Sequence, residues 1–244
     1  LGVNLFRYND PRDINNDGFT DVTLQERISI FNKFDLQRKE HRLASLAARY
    51  VTEERWGGQL QWTDADKDSD RIYGESINTE RWELIGQYQL PVKERVITQF
   101  SFNSHQQDSW YGTMPFRADQ RVLFAQTHWA HDIGLRHDLL LGAAYRYAWY
   151  DDNTVATGTE AQRIALPGVF VQDEWSLSEA QKLLLGYRMD HDRAHGLVHS
   201  PRVAYKWAPS GRWAVRASFG TGYRVVNLFT EDHAALTGAR DVVI

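Results

Sequence analysis

The sequence predicts an all-β protein: an antiparallel up-and-down transmembrane β-barrel, present in part, with about ten strands of a larger barrel. Three observations predict it. Apolar residues recur at every second position in several successive segments, with charged or small residues between them. The connections alternate between short and long. Aromatic residues gather at both ends of the alternating segments.

The clearest segment is Gln181 to Arg224. In steps of two, Leu183, Leu185, Tyr187 and Met189 share one face, and Lys182, Gly186, Arg188 and Asp190 share the other. Val203, Tyr205 and Trp207 oppose Arg202, Ala204 and Lys206, and Trp213, Val215, Ala217 and Phe219 oppose Arg212, Ala214, Arg216 and Ser218. Periodicity alone does not separate a soluble sandwich from a membrane barrel, because both bury one face. The turns and the aromatics separate them.

Strands are expected near 22–36, 42–56, 78–90, 95–107, 118–131, 136–151, 162–177, 181–191, 199–208 and 212–223. Short connections fall near 37–41, 91–94, 132–135, 178–180 and 209–211, and long ones at 57–77, 108–117, 152–161 and 192–198. Short turns on one rim and long loops on the other are characteristic of outer-membrane barrels. Trp129, Trp175, Trp207 and Trp213 lie beside short turns, whereas Trp56, Trp82 and Trp149 border long loops. Two aromatic belts at opposite strand ends fit the two lipid–water interfaces. Asp173, in phase with Val169, Val171 and Trp175, and Arg49 depart from this pattern, since lipid disfavours a charge.

Composition bounds the function. The 28 Lys and Arg against 32 Asp and Glu give a net charge of −4, so there is no electrostatic case for a nucleic-acid partner. The 244 residues contain no cysteine, which removes disulfides and thiolate metal sites. The first residues form no signal peptide and the last read as no terminal strand, so the chain is expected to be an internal fragment.

Two acidic runs suggest calcium. Asp13, Asn15 and Asp17 stand at relative positions 1, 3 and 5 of a calcium loop, Gly18 at 6 and Asp21 at 9, but Leu24 replaces the closing glutamate. Asp64, Asp66, Asp68 and Asp70 supply positions 1, 3, 5 and 7 of a second run with Glu75 at 12, but Ser69 replaces the turn glycine. Polar turns are the alternative for both. His191, His195 and His199 are spaced by four, yet Gly196 and Pro201 place them in a loop rather than a helix. Trp62, Trp110 and Tyr111 fall in expected long loops, where an exposed ring can stack on a ligand. No nucleophile elbow, phosphate loop or zinc-helix motif is present, and no catalysis is expected.

The run from Gly168 to Arg224, with GVFVQDEW, LLLGYRMDHD, HSPRVAYKW and RASFGTGYR followed by NLFTEDHAAL, resembles the barrel of TonB-dependent outer-membrane receptors; DINNDGFTD extends the resemblance toward the N-terminus. The resemblance implies residence in outer-membrane lipid and uptake of a scarce solute such as an iron chelate, haem or cobalamin. It further implies ligand contact by the outward loops and upper lumen, and a plug coupled to TonB and its inner-membrane energising complex. The plug, the TonB-contacting segment and the terminal strands are expected to lie outside residues 1–244. Arg188, Arg202, Lys206, Arg212 and Arg216 are the expected plug-facing or ligand-facing cations. Alternatives are a plug-less porin or channel, and a soluble calcium-dependent β-rich binding or hydrolytic protein.

Overall fold

The computed structural model describes residues 1–224 except 156 and 158; the NLFTEDHAAL stretch lies outside the described residues. Eleven strands follow one another as a single antiparallel meander, each bonded to the next in chain order. They are β1 (Gly2–Tyr8), β2 (Leu24–Asp35), β3 (Ala44–Gly58), β4 (Gly74–Gln89), β5 (Arg95–Tyr111), β6 (Met114–Ile133), β7 (His137–Asp152), β8 (Gln162–Ser178), β9 (Gln181–Asp192), β10 (Gly196–Ser210) and β11 (Trp213–Gly220).

β1 was not expected. The segment is too short to show its alternation, and its register with β2, from Gly2 opposite Phe31 to Tyr8 opposite Gln25, reveals it. The expected long loop 108–117 is also replaced. β5 and β6 run on to a two-residue turn at Gly112 and Thr113, with Tyr111 opposite Met114. Gly112 takes φ +62, a conformation open to glycine. The 108–117 stretch reads as a loop because the residues buried on the inner face here include the polar Gln107 and Ser109, so polarity no longer marks the faces while pairing continues. Likewise the 192–198 loop shrinks to three residues between Asp192 and Gly196.

The register fixes two faces. Ile28, Ile30, Leu46, Phe102, Leu123, Leu141, Tyr145, Val169, Val171, Leu185, Tyr187, Val203, Trp207, Val215 and Phe219 share one face and are exposed. The opposite face carries Arg27, Arg49, Glu53, Arg81 and His105 around one groove, and Arg146, Leu166, Arg188 and Asp190 around another. We refer to the first as the outer face and the second as the inner face. The apolar side chains do not meet in a sealed interior, which removes the sandwich alternative.

Strand length places the bilayer. β6 has 20 residues, about 65 Å at ~3.4 Å per residue and about 50 Å high at a roughly 40° tilt, twice the ~25 Å apolar band of such barrels. On β7 the outer-face band from Leu139 to Tyr147 is bounded by His137 below and Trp149 above. Trp149 sits beneath the Arg121 guanidinium, 5.0 Å from the ring, and Tyr50 packs on Trp82 at 4.4 Å in the same register row. At the other end His137 stacks on Trp175 at 5.4 Å and holds Asp173 by a 2.7 Å contact. Asp173 therefore lies at the lower interface with a partner. Arg49 is on the inner face with Ser45 and Ala47, paired to Glu83 at 2.7 Å.

Because the native chain has no cysteine, single cysteines test the faces. Val171→Cys should be protected from a water-soluble maleimide in outer-membrane vesicles, while its neighbour Gln172→Cys reacts. Equal labelling of the two would show that the faces are misassigned.

Candidate functional site

The inner face is a wall of paired charges. Glu53 on β3 accepts from Arg55 at 2.7 Å and lies 3.7 Å from Arg27 on β2. Glu83 on β4 pairs with Arg49 at 2.7 Å and Arg81 at 3.8 Å, and Arg81 contacts the His105 ring at 3.2 Å. Cross-strand neighbours lie about 5 Å apart, so alternating sign satisfies these groups within the sheet.

Of the expected inner-facing cations, Arg188, Arg202, Lys206 and Arg216 share this face through the pairs Arg188 with Ser200, Gly186 with Arg202, and Lys206 with both Lys182 and Arg216. Arg212 does not join them; it occupies the two-residue turn between Ser210 and Trp213. Arg188 donates from Nε and Nη2 to the two oxygens of Asp190, both at 2.7 Å. Asp190 is 1% exposed. Its carboxylate occupies the place of a missing side chain on β8: a Cβ on Gly168 would stand 2.1 Å from Oδ1. This glycine, carboxylate and guanidinium form one unit that only the cross-strand register reveals.

The loop rim carries both acidic runs. The first lies in the β1–β2 connection, 9–23, not before the first strand. Asp13 accepts from the backbone N–H of Asp17 at 3.1 Å and of Gly18 at 2.9 Å, Asp21 accepts from Ile14 at 2.5 Å, Asn15 accepts from Asp17 at 3.2 Å, and Asp17 accepts from Phe19 at 2.9 Å. In the second run Asp66 is buried and accepts from the Thr63 backbone N–H and hydroxyl at 3.0 and 2.8 Å, capping a helical turn. Asp64 pairs with Lys67 at 2.9 Å, Asp68 adopts φ +61, and Asp70 is exposed. Among the described residues no three His, Cys, Asp or Glu side chains gather to hold a metal ion, the histidines at 191, 195 and 199 included.

Hydrogen bonds join the first run to the end of β3 and the residues just after it. Thr20 N–H donates to Gly58 O at 2.8 Å, Leu60 N–H to Gly18 O at 2.9 Å, and Phe19 bridges to Gln59. Trp62 remains in a loop, its ring packed on Gly74, where a Cβ would come within 2.3 Å. Trp110 and Tyr111 leave the loop set for β5: Trp110 pairs with Ser76 on the outer face, and Tyr111 packs on the inner-face cluster of Phe116, Ala118 and Tyr150. Tyr73 lies over Gly112 and donates to Glu75 at 2.5 Å. That bond, with burial, pushes the Tyr73 phenol up to about 12. On the opposite rim, His131 at 3.0 Å and Trp129 at 3.3 Å hold Glu94 below its usual carboxylate value.

Two outcomes follow from these contacts. Gly168→Ala should drive Asp190 off Arg188 and destabilise the sheet by about 1–3 kcal/mol, read as a lower urea midpoint with unchanged slope. A phenol raised in the fold is stabilising below its unfolded value near 10, and that contribution is lost as pH rises through about 12. Loop-rim protection from protease should therefore fall between pH 10 and 12 in the native protein, and Tyr73→Phe should shift that loss.

The comparisons with known proteins agree with this architecture. The profile of the family described as TonB dependent receptor-like, beta-barrel matches residues 1–235. Two proteins described as iron-regulated outer membrane virulence protein, from two strains of Vibrio cholerae serotype O1, are 31% identical over 111 residues, covering 43% of this chain and 17% of theirs. The siderophore receptor PirA of Pseudomonas aeruginosa superposes with a TM-score of 0.62 at 13% identity, over 86% of this chain and 35% of that one. A variant of the ferric enterobactin receptor of the same organism gives 0.64 at 13% identity, over 91% and 36%. The chain thus spans 17% of the length of the relatives it matches in sequence, and the structural likenesses establish the fold. With an outer face made for lipid, an inner face of paired charges and a family profile covering nearly its whole length, the chain belongs to the β-barrel family of TonB-dependent outer-membrane receptors.

Proposed function

We propose that this chain is part of the barrel wall of a receptor that takes up an iron chelate across the outer membrane, with energy delivered through TonB. The observation that carries the reading is the pairing of an exposed apolar outer face with a charge-paired inner face across eleven antiparallel strands. A closed barrel containing this many strands and more has a lumen wide enough to leak, so selectivity demands a filling domain. The related proteins described as iron-regulated, as a siderophore receptor and as a ferric enterobactin receptor favour iron chelates over haem or cobalamin.

In this reading the rim formed by the loops 9–23 and 59–73 and the β5–β6 turn faces outward and meets the chelate first. Tyr111, on the inner side of that rim, contributes to the ligand surface; Trp110, on the outer side, does not. The wall itself performs no catalysis. A plug-less channel would pass solute down its gradient without TonB.

The test is uptake of radiolabelled ferric chelates by iron-starved cells carrying the full-length receptor. Saturable uptake that falls at least tenfold when TonB is removed is expected. Uptake unchanged by loss of TonB would overturn the proposal in favour of a channel.

A further inference from the structure

On the outer face, the row that closes the apolar band at its upper boundary is continuous from β3 to β8. Tyr50 stands opposite Trp82, Trp82 opposite Ser104, Ser104 opposite Arg121, Arg121 opposite Trp149, and Trp149 opposite Arg163. Both arginines are exposed. Neighbouring strands lie about 4.8 Å apart, so the two positions are roughly 10 Å from each other with Trp149 between them.

Directly above this row a groove of about 700 Å³ opens on the outer face, not into the lumen. Two further rows line it: Glu80, Gln106, Asp119 and Asp151, then Asn78, Asp108 and Arg117. The next row, with Trp56 and Trp110 on either side of Ser76, bounds it from above. At ~3.4 Å per residue and a roughly 40° tilt each row rises about 5 Å, so the groove occupies about the first 10 Å beyond the apolar band. Asp119 lies in mid-sheet, with strands on both sides of β6. Its Oδ2 accepts from Arg121 at 2.7 Å, while its Oδ1 is buried with no hydrogen-bond partner. Among the described residues no three of these carboxylates gather to hold a metal ion. An ionised carboxylate only accepts, so the groove calls for donors from outside the protein.

We propose that this outer-face site binds the headgroup of a phosphorylated glycolipid in the outer leaflet, with Arg121 and Arg163 taking its phosphates and the groove above them its sugar hydroxyls. The site is continuous with the lipid interface, and its guanidinium row stands where hydrocarbon gives way to headgroups. A guanidinium presents a planar fork that matches phosphate oxygens. The amides, carboxylates and Arg117 above it form the mixed donor and acceptor set that a polyhydroxylated ring requires. A phospholipid fills the phosphate positions but is too short to reach the acceptors, and a free anion entering the groove meets Glu54, Glu80 and Asp151. The assignment rests on the reading that the loop rim faces outward; it does not depend on which chelate is carried.

The test uses the purified full-length receptor in neutral detergent, with bound lipid counted by native mass spectrometry. The probes are a synthetic diphosphorylated acyl-disaccharide, its dephosphorylated form, and phosphatidylglycerol. The diphosphorylated glycolipid is expected to bind at least tenfold more tightly than either of the others. Arg121→Gln/Arg163→Gln should remove at least tenfold of that affinity. Gln106→Ala/Asp151→Ala, at two exposed positions, should weaken the glycolipid severalfold and leave phosphatidylglycerol unchanged. Equal affinity for the diphosphorylated glycolipid and phosphatidylglycerol would reduce the row to a general interfacial contact and overturn the site, as would a glycolipid preference that both variants retain. Labelling of Asp70→Cys by a membrane-impermeant maleimide on intact cells separates the two readings. Labelling without glycolipid preference overturns the site alone, whereas a loop rim that stays unlabelled overturns the orientation and the site with it.

Discussion

In hydrocarbon every backbone N–H and C=O must find a partner within the protein, and the rest of this structure depends on that constraint. Here the partners are supplied strand to strand, from β1 to β11, without a crossover or interruption of the order. A ladder so long frees the outer face to be largely apolar where lipid touches it and leaves the inner face to carry charge. Only the outer sides of β1 and β11 lack neighbours among the described residues, and such edges are satisfied by further strands in a closed barrel.

The same constraint explains where irregularities are allowed. Glycines fit where a neighbour fills the missing volume: Phe170 covers Gly142, Phe100 covers Gly86, and the Asp190 carboxylate covers Gly168. Charges on the outer face occur at the ends of the band, as with Asp173 and His137 below and Arg121 beside Trp149 above. Beyond that upper boundary the strands continue into water. There they hold the loops at a distance from the membrane, and the first acidic run is bound to residues 58–60 by backbone hydrogen bonds.

The inner wall shows the other use of the ladder. Because cross-strand neighbours are fixed by register, each cation has a defined set of partners, and most of the β2–β5 sector resolves into acid–base pairs. In the β9–β11 sector Arg188 and Lys182 are paired within the sheet; among the described residues the Lys206–Arg216 row, which ends on the edge strand β11, is not.

Strand identity and the two faces were legible in the amino-acid sequence, because a period of two survives any detail of packing: Leu185 and Tyr187 had to oppose Arg188 whatever the fold. The membrane assignment was legible too, from aromatics at the ends of apolar runs. Strand ends were not, because near the loop rim polar side chains such as Gln107 and Ser109 take buried positions and polarity no longer marks the faces; 108–117 therefore looked like a loop, and β1 was too short to declare itself. Only the tertiary structure decided which residues meet across strands, since hydrogen-bond register joins positions tens of residues apart. That is why Gly168, Arg188 and Asp190 form a unit invisible to spacing.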